Sequence, residues 1–158
     1  MKRSIRGVAA LVAATLAMMG GNVLAQNNDQ AGKTALVSER DKVSYAVGLD
    51  VGKSFQPVAD FIDLAAFERS IRNVFDGGKP LMTEEEAKAT DESLRKNLAV
   101  RQGAPVPGMA PGTQPPAVDK GKVGTMLGSF AVGPSLAPLK GEIDLGTLMQ
   151  AVRTSLAN

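Results

Sequence analysis

The chain has 158 residues, with 18 Lys and Arg against 16 Asp and Glu, and it contains no His, Cys or Trp. The usual nucleophile–base pairs, soft metal sites, disulfides and a lipid-modified cysteine are thereby excluded. Five Phe and one Tyr supply the only aromatic bulk, so a core must be built from Val, Leu, Ile, Ala and Met, which suits closely packed helices.

Residues 1–25 read as an export signal. Lys2, Arg3 and Arg6 form a basic leader, Val8 to Met19 is an uncharged apolar run, and Val23-Leu24-Ala25 supplies the small residues that a signal peptidase reads. The run falls short of the roughly 20 apolar residues a membrane-spanning helix needs, so cleavage near Ala25 and release into the periplasm or medium are expected, with no stable membrane anchor. Loss of the leader takes 18 basic residues to 15 against 16 acidic ones. The mature charge is then near −1, and no basic run remains as a nucleic-acid footprint.

Residues 26–37 form a polar tether, followed by helical signals over 38–102. Ser38 with Asp41 resembles a capping box, and Val43, Val47, Val51 and Phe55 recur at helical spacing with Gly48 and Gly52 beside them. Interior glycine costs about 1 kcal/mol relative to Ala, so the pair implies a close neighbouring backbone. Pro57 stops this helix. Asp63 caps a second helix with an inward face of Leu64, Phe67, Ile71, Val74 and Phe75. Gly77 and Gly78 end it. Thr83 to Glu86 is a full capping box opening a third helix that runs to about Gln102 with a thin seam of Ala87, Leu94 and Leu98. Its three leading carboxylates suit the positive end of the helix dipole; adjacent helix positions diverge, so they do not converge on a metal. Asp50 is a surface carboxylate within reach of Lys53, Arg69 or Arg72.

Residues 103–118 contain five prolines and three glycines up to Ala117 and read as an extended, semi-flexible linker. Residues 119–158 then repeat the first two helices. Lys42, Val43 and Gly48 pair with Lys122, Val123 and Gly128. After one inserted residue, Val51, Gly52, Pro57, Ile62-Asp63-Leu64 and Arg72 pair with Val132, Gly133, Pro138, Ile143-Asp144-Leu145 and Arg153. Such a period indicates a duplicated unit, in which Asp144 caps and Leu145, Leu148, Val152 and Leu156 face inward. Each unit buries one face only, so the two are expected to shield each other. The fold class is all-α: three helices, a linker and a degenerate two-helix repeat.

The run Asp41-Lys-Val-Ser-Tyr-Ala-Val-Gly-Leu-Asp-Val-Gly52, then Ile62-Asp63, then Gly77-Gly-Lys-Pro-Leu-Met-Thr-Glu-Glu-Glu86, resembles the amino-terminal domain of exported bacterial FKBP-type peptidyl-prolyl isomerases, of the kind related to the macrophage infectivity potentiator. The resemblance covers about Ser38 to Gln102. It implies an all-helical domain that intertwines with a second copy, while its third helix carries a separate β-rich catalytic domain and the arms cradle unfolded chains. The tail of this chain shows no strand alternation and only Phe130 among aromatics after Phe75, so no catalytic position carries over. The resulting expectation is a non-catalytic exported folding accessory with no cofactor, metal or catalytic residue. Its expected partners are itself, as homodimer or intrachain pseudo-dimer, and unfolded clients. The alternatives are a subunit that regulates a full-length isomerase, or a degenerate relic. The expected pseudo-dimer contact sets Val43, Val47, Gly48, Val51, Gly52 and Phe55 against Val123, Leu127, Gly128, Val132, Gly133 and Leu136.

Overall fold

A computed structural model describes residues 36–158; the expected export signal and most of the expected tether lie outside the described residues. Helix α1 spans Glu39–Phe55 and passes into a 3-10 turn, Gln56–Phe61, at Pro57. Helices α2 (Leu64–Phe75) and α3 (Glu84–Arg101) come next. The second half opens with α4 (Lys120–Met126), widens into a π turn (Leu127–Val132), and continues as α5 (Gly133–Leu136) and a 3-10 turn (Ala137–Leu139). Helix α6 (Leu145–Ala157) ends it. Among the described residues there is no strand.

The chain is threaded so that each half completes the other. Helix α1 packs along α6, while the α4–π–α5 rod packs along α2. The first helix of each half therefore lies on the second helix of the opposite half. The expected pairing of the two first helices with one another is replaced by this reciprocal exchange, in which the glycines of each first helix meet the backbone of the opposite second helix. The shared core contains Phe55, Phe67, Ile71, Met82, Leu94, Val123, Ile143, Leu148, Met149 and Val152. Phe55 meets the edge of Phe67 with ring centroids 5.2 Å apart at 79°, a geometry that adds to simple area burial.

The inserted residue in the second half has a structural home. Gly48 and Gly52 are four apart, whereas Gly128 and Gly133 are five apart. The amide of Gly133 donates to the carbonyl of Gly128, an i to i+5 bond that absorbs one extra residue without rotating the rest of the helix. Phe130 and Ala131 lie on the exposed side of this wide turn. It also accommodates Pro134, whose ring and missing N–H would strain a regular helix interior.

Helix α3 lies across α4, with Leu94 and Thr90 buried and Ala87 and Leu98 partly so. The segment expected to be an extended linker is built instead from turns. Val106-Pro107-Gly108-Met109 and Ala110-Pro111-Gly112-Thr113 each close with an i to i+3 backbone bond of 3.1 Å. Gly108 and Gly112 sit at φ 80° and 81°, the proline-then-glycine chemistry of type II turns. Asn97 Nδ2 donates to the carbonyl of Pro116 at 2.8 Å, tying the returning segment to α3.

Candidate interface: two small-residue seams

The seams begin with helix starts that are locally fixed. Ser38 Oγ accepts from the Asp41 amide and the Asp41 carboxylate accepts from the Ser38 amide, which sets α1 in register. Asp63 Oδ1 accepts from the amides of Ala65 and Ala66 at 2.8 and 3.0 Å; the bonds to Ala66 and Ala65 hold its carboxyl below its ordinary pKa. Asp144 Oδ1 accepts from the Thr147 amide at 2.8 Å. Thr83 Oγ1 accepts from the Glu86 amide, and Glu86 accepts from the Thr83 amide. That last bond, helped by Lys122, holds Glu86 below its ordinary pKa.

On α1 the most buried row is not the valines but Ser44, Gly48 and Gly52. Val47 and Val51 flank it half-buried, Phe55 closes its end buried, and Val43 is 44% exposed. A methyl group at Gly48 would collide with the carbonyl of Leu148 and stand 2.7 Å from Ala151 Cβ; at Gly52 it would stand 2.5 Å from Ser155 Cβ. The second seam repeats these relations. A methyl at Gly128 would stand 2.6 Å from Ser70 Cβ and 2.7 Å from the Phe67 carbonyl, and at Gly133 3.0 Å from Val74 Cγ2. In the sequence repeat Phe67, Ser70 and Val74 match Leu148, Ala151 and Ser155. Every seam glycine thus faces the matched residues of the opposite half, so the halves are related by a local two-fold. Val123, Gly128, Gly133 and Leu136 are buried, and Leu127 and Val132 half-buried.

This row lets the backbone of the opposite second helix come close. Glycine faces lose almost no side-chain contact when a neighbouring backbone approaches, but they need a partner with small residues of its own. Ala66 and Ser70 on α2 and Ala151 on α6 supply that. The sequence reading placed neither Ala66, Ser70 nor Thr147, Met149 and Ala151 in the interior; the signal was the four-residue recurrence of small residues, hidden behind stronger valine and leucine periodicity.

The ends of the seams differ. The Asp63 amide donates directly to the Lys120 carbonyl at 3.0 Å, an approach permitted because Gly124 has no Cβ to strike the Asp63 carbonyl. In the other seam Ser44 stands where Gly124 would be. Its Oγ donates to the Arg40 carbonyl at 2.6 Å and accepts from the Asp144 amide at 2.8 Å. Arg40 also donates to the Ile143 carbonyl at 2.7 Å. Across the middle, Glu68 accepts from both Arg72 and Arg153, at 3.0 and 3.2 Å, joining the two matched arginines of the repeat. Asp50 lies at the surface, 3.9 Å from Lys53.

Residues 40–106 match the family model described as the domain amino terminal to FKBP-type peptidyl-prolyl isomerase. Residues 40–106 thus have the sequence pattern of that amino-terminal domain. Over 71 residues it is also 29% identical to a protein named outer membrane protein MIP from Legionella longbeachae, an alignment spanning 45% of this chain but only 30% of that relative's length. No solved structure matches. The matched domain comprises α1, α2 and α3, so the partner helices of its seams, α4 to α6, come from outside the family match and from the same chain.

The described residues hold no cluster of three or more His, Cys, Asp or Glu placed to bind a metal ion. No helix among them is long and apolar enough to cross a membrane. A cleft of about 490 Å³ opens between Val100 and the returning turns and is lined by Pro105, Val106, Met109 and Pro111. The chemistry this arrangement offers is association through packed helical faces.

Proposed function

We propose that this protein is a non-catalytic accessory of protein folding that acts outside the cytoplasm, binding unfolded clients through an isomerase-type helical module whose dimer-like exchange is completed within one chain. The observation that carries this reading is the pair of matched seams. Residues 119–158 fill, for α1 and α2, the positions that a second copy of the module would fill.

Export is supported by the basic leader, the apolar run and the small residues at Val23 to Ala25, and by the name of the Legionella relative as an outer membrane protein. The test is a pair of assays on the chain from Gln26 to Asn158. It should slow aggregation of a chemically unfolded protein at near-stoichiometric ratio, and it should leave the cis–trans relaxation of a proline peptide in a coupled protease assay unchanged. Acceleration of that relaxation, or no protection from aggregation, would overturn the reading. Capture of a full-length isomerase together with loss of client protection would point instead to a regulatory subunit.

A further inference from the structure

The local two-fold exposes one inequality between the halves. Val123 is fully buried and Met126 is 8% exposed, whereas their matches Val43 and Ala46 are both exposed; Ser129 is buried and its match Leu49 only half so. These positions lie at i, i+3 and i+6, so they form a single face of the helix. In the second half α3 packs against α4, the helix that carries Val123 and Met126, and Lys122 reaches Glu86 of α3 at 3.7 Å. In the first half the matching lysine is Lys42, turned instead to Glu39 of its own helix at 2.7 Å. Among the described residues no other helix lies over it as α3 lies over α4.

We infer that the face of α1 formed by Lys42, Val43, Ala46 and Leu49 is a docking site for an amphipathic helix of another protein, one that presents an acidic first turn and an apolar seam at four-residue spacing. The occupant's chemistry is fixed by what covers the matched face. Glu86, Thr90, Leu94 and Leu98 of α3 have that spacing, with the Glu86 carboxylate meeting the lysine and Leu94 buried in the same core as Val123. The interface is continuous with α1's buried seam, because α1 then carries a partner on each side just as α4 does. The site rests on the reading of the chain as a binding module, and it names the kind of partner.

The experiment uses a side-chain-stapled peptide with the sequence of residues 83–102 as probe, titrated into isotope-labelled protein from Gln26 to Asn158. Saturable amide shifts centred on Val43, Ala46 and Leu49 are expected. They should vanish in the double variant Val43→Glu with Ala46→Glu, whose unchanged melting temperature would show that an exposed face alone was altered. A peptide carrying Glu86→Lys should bind about fivefold more weakly, the scale of one exposed ion pair. Four results would overturn the proposal. They are no saturable shift at millimolar peptide, shifts centred on Val123 and Met126, self-association without peptide that the double variant abolishes, and shifts at Val43 on deleting residues 26–35. The third would make a second copy the occupant and the fourth the chain's own tether. Any of these would leave the aggregation assay, and the client-binding role it tests, unaffected.

Discussion

The α1–α6 seam and the α2–α4 seam are two solutions to one packing problem, and they differ where backbone meets backbone. The α2 seam uses Gly124 to let the Lys120 carbonyl reach the Asp63 amide directly. The α1 seam keeps Ser44 and passes the same interaction through its hydroxyl. The α1 rod is a regular helix, whereas its counterpart carries a π turn and a proline. The halves agree most strictly at Gly48 with Gly128 and Gly52 with Gly133. Exact aliphatic identity matters less, since Phe55 and Leu136, or Phe67 and Leu148, exchange shape within one core.

The most disruptive way to break the equivalence is to widen one seam. Gly48→Arg would drive a charged chain into the Leu148 carbonyl and Ala151, and it should cost more than about 4 kcal/mol, the range kept for gross core damage. Gly48→Ala and Gly128→Ala should each cost about 1–3 kcal/mol by overpacking, despite the better helix propensity of Ala. Urea unfolding of the two variants side by side measures whether the seams are equally tight. A near-normal midpoint for Gly48→Arg would show that no backbone lies close there.

A one-residue deletion sharpens the comparison of the rods. Removing Leu49 from α1 has no bulge to absorb it and turns the rest of that helix by about 100°, so it should cost about 3 kcal/mol or more, as core damage does. In a Pro134→Ala background, removing Ala131 should convert the π turn to regular helix and change stability by less than about 1 kcal/mol, below the typical cost of a point mutation. Equal losses in calorimetric melting would mean that the π turn does not hold the insertion.

Two smaller effects probe the seam ends. Ser44→Ala removes the relay and takes from the Asp144 amide the hydroxyl it donates to, an expected loss of about 1–3 kcal/mol; that amide should also exchange faster with solvent. Asp63 and Glu86 have folded-state pKa values below their ordinary ones. Their contribution is therefore complete above the unfolded-state values near pH 4 and is lost as pH falls through the lower folded values. Asp63→Asn and Thr83→Ala should each flatten that acid limb of the stability profile. The smallest effect is Glu68→Gln, which leaves Arg72 and Arg153 without their shared carboxylate. It should cost no more than about 1 kcal/mol, and added salt at about 1 M should reduce the difference.

Much of this fold was legible because its signals are local. Ser38, Asp63, Thr83 and Asp144 mark helix starts through the bonds their side chains make to backbone amides, and Pro57 and Pro138 mark helix ends. The matching of the two halves rests on glycines, prolines and Ile-Asp-Leu in fixed order. The exchange of helices was not legible, because periodicity tells which face is buried but not which helix buries it. Small residues at Ala66, Ser70 and Ala151 carry that information, yet their weak hydrophobicity hides them among Phe67, Ile71 and Leu148. Val43 differs for the converse reason: it stands in an apolar row with Val47, yet it lies on the side of α1 turned away from the glycine seam and is exposed. The proline-rich segment was read from composition, whereas its order depends on the positions of Pro107-Gly108 and Pro111-Gly112.

The most direct test of the single-chain exchange is the absolute mass in solution, by light scattering after gel filtration, of the chain from Gln26 to Asn158 beside one ending at Gln102. The expected result is a monomer for the longer chain and a dimer for the shorter, because only the shorter must borrow its second helical partner from another molecule. A dimeric longer chain would contradict the claim that residues 119–158 occupy the partner's place.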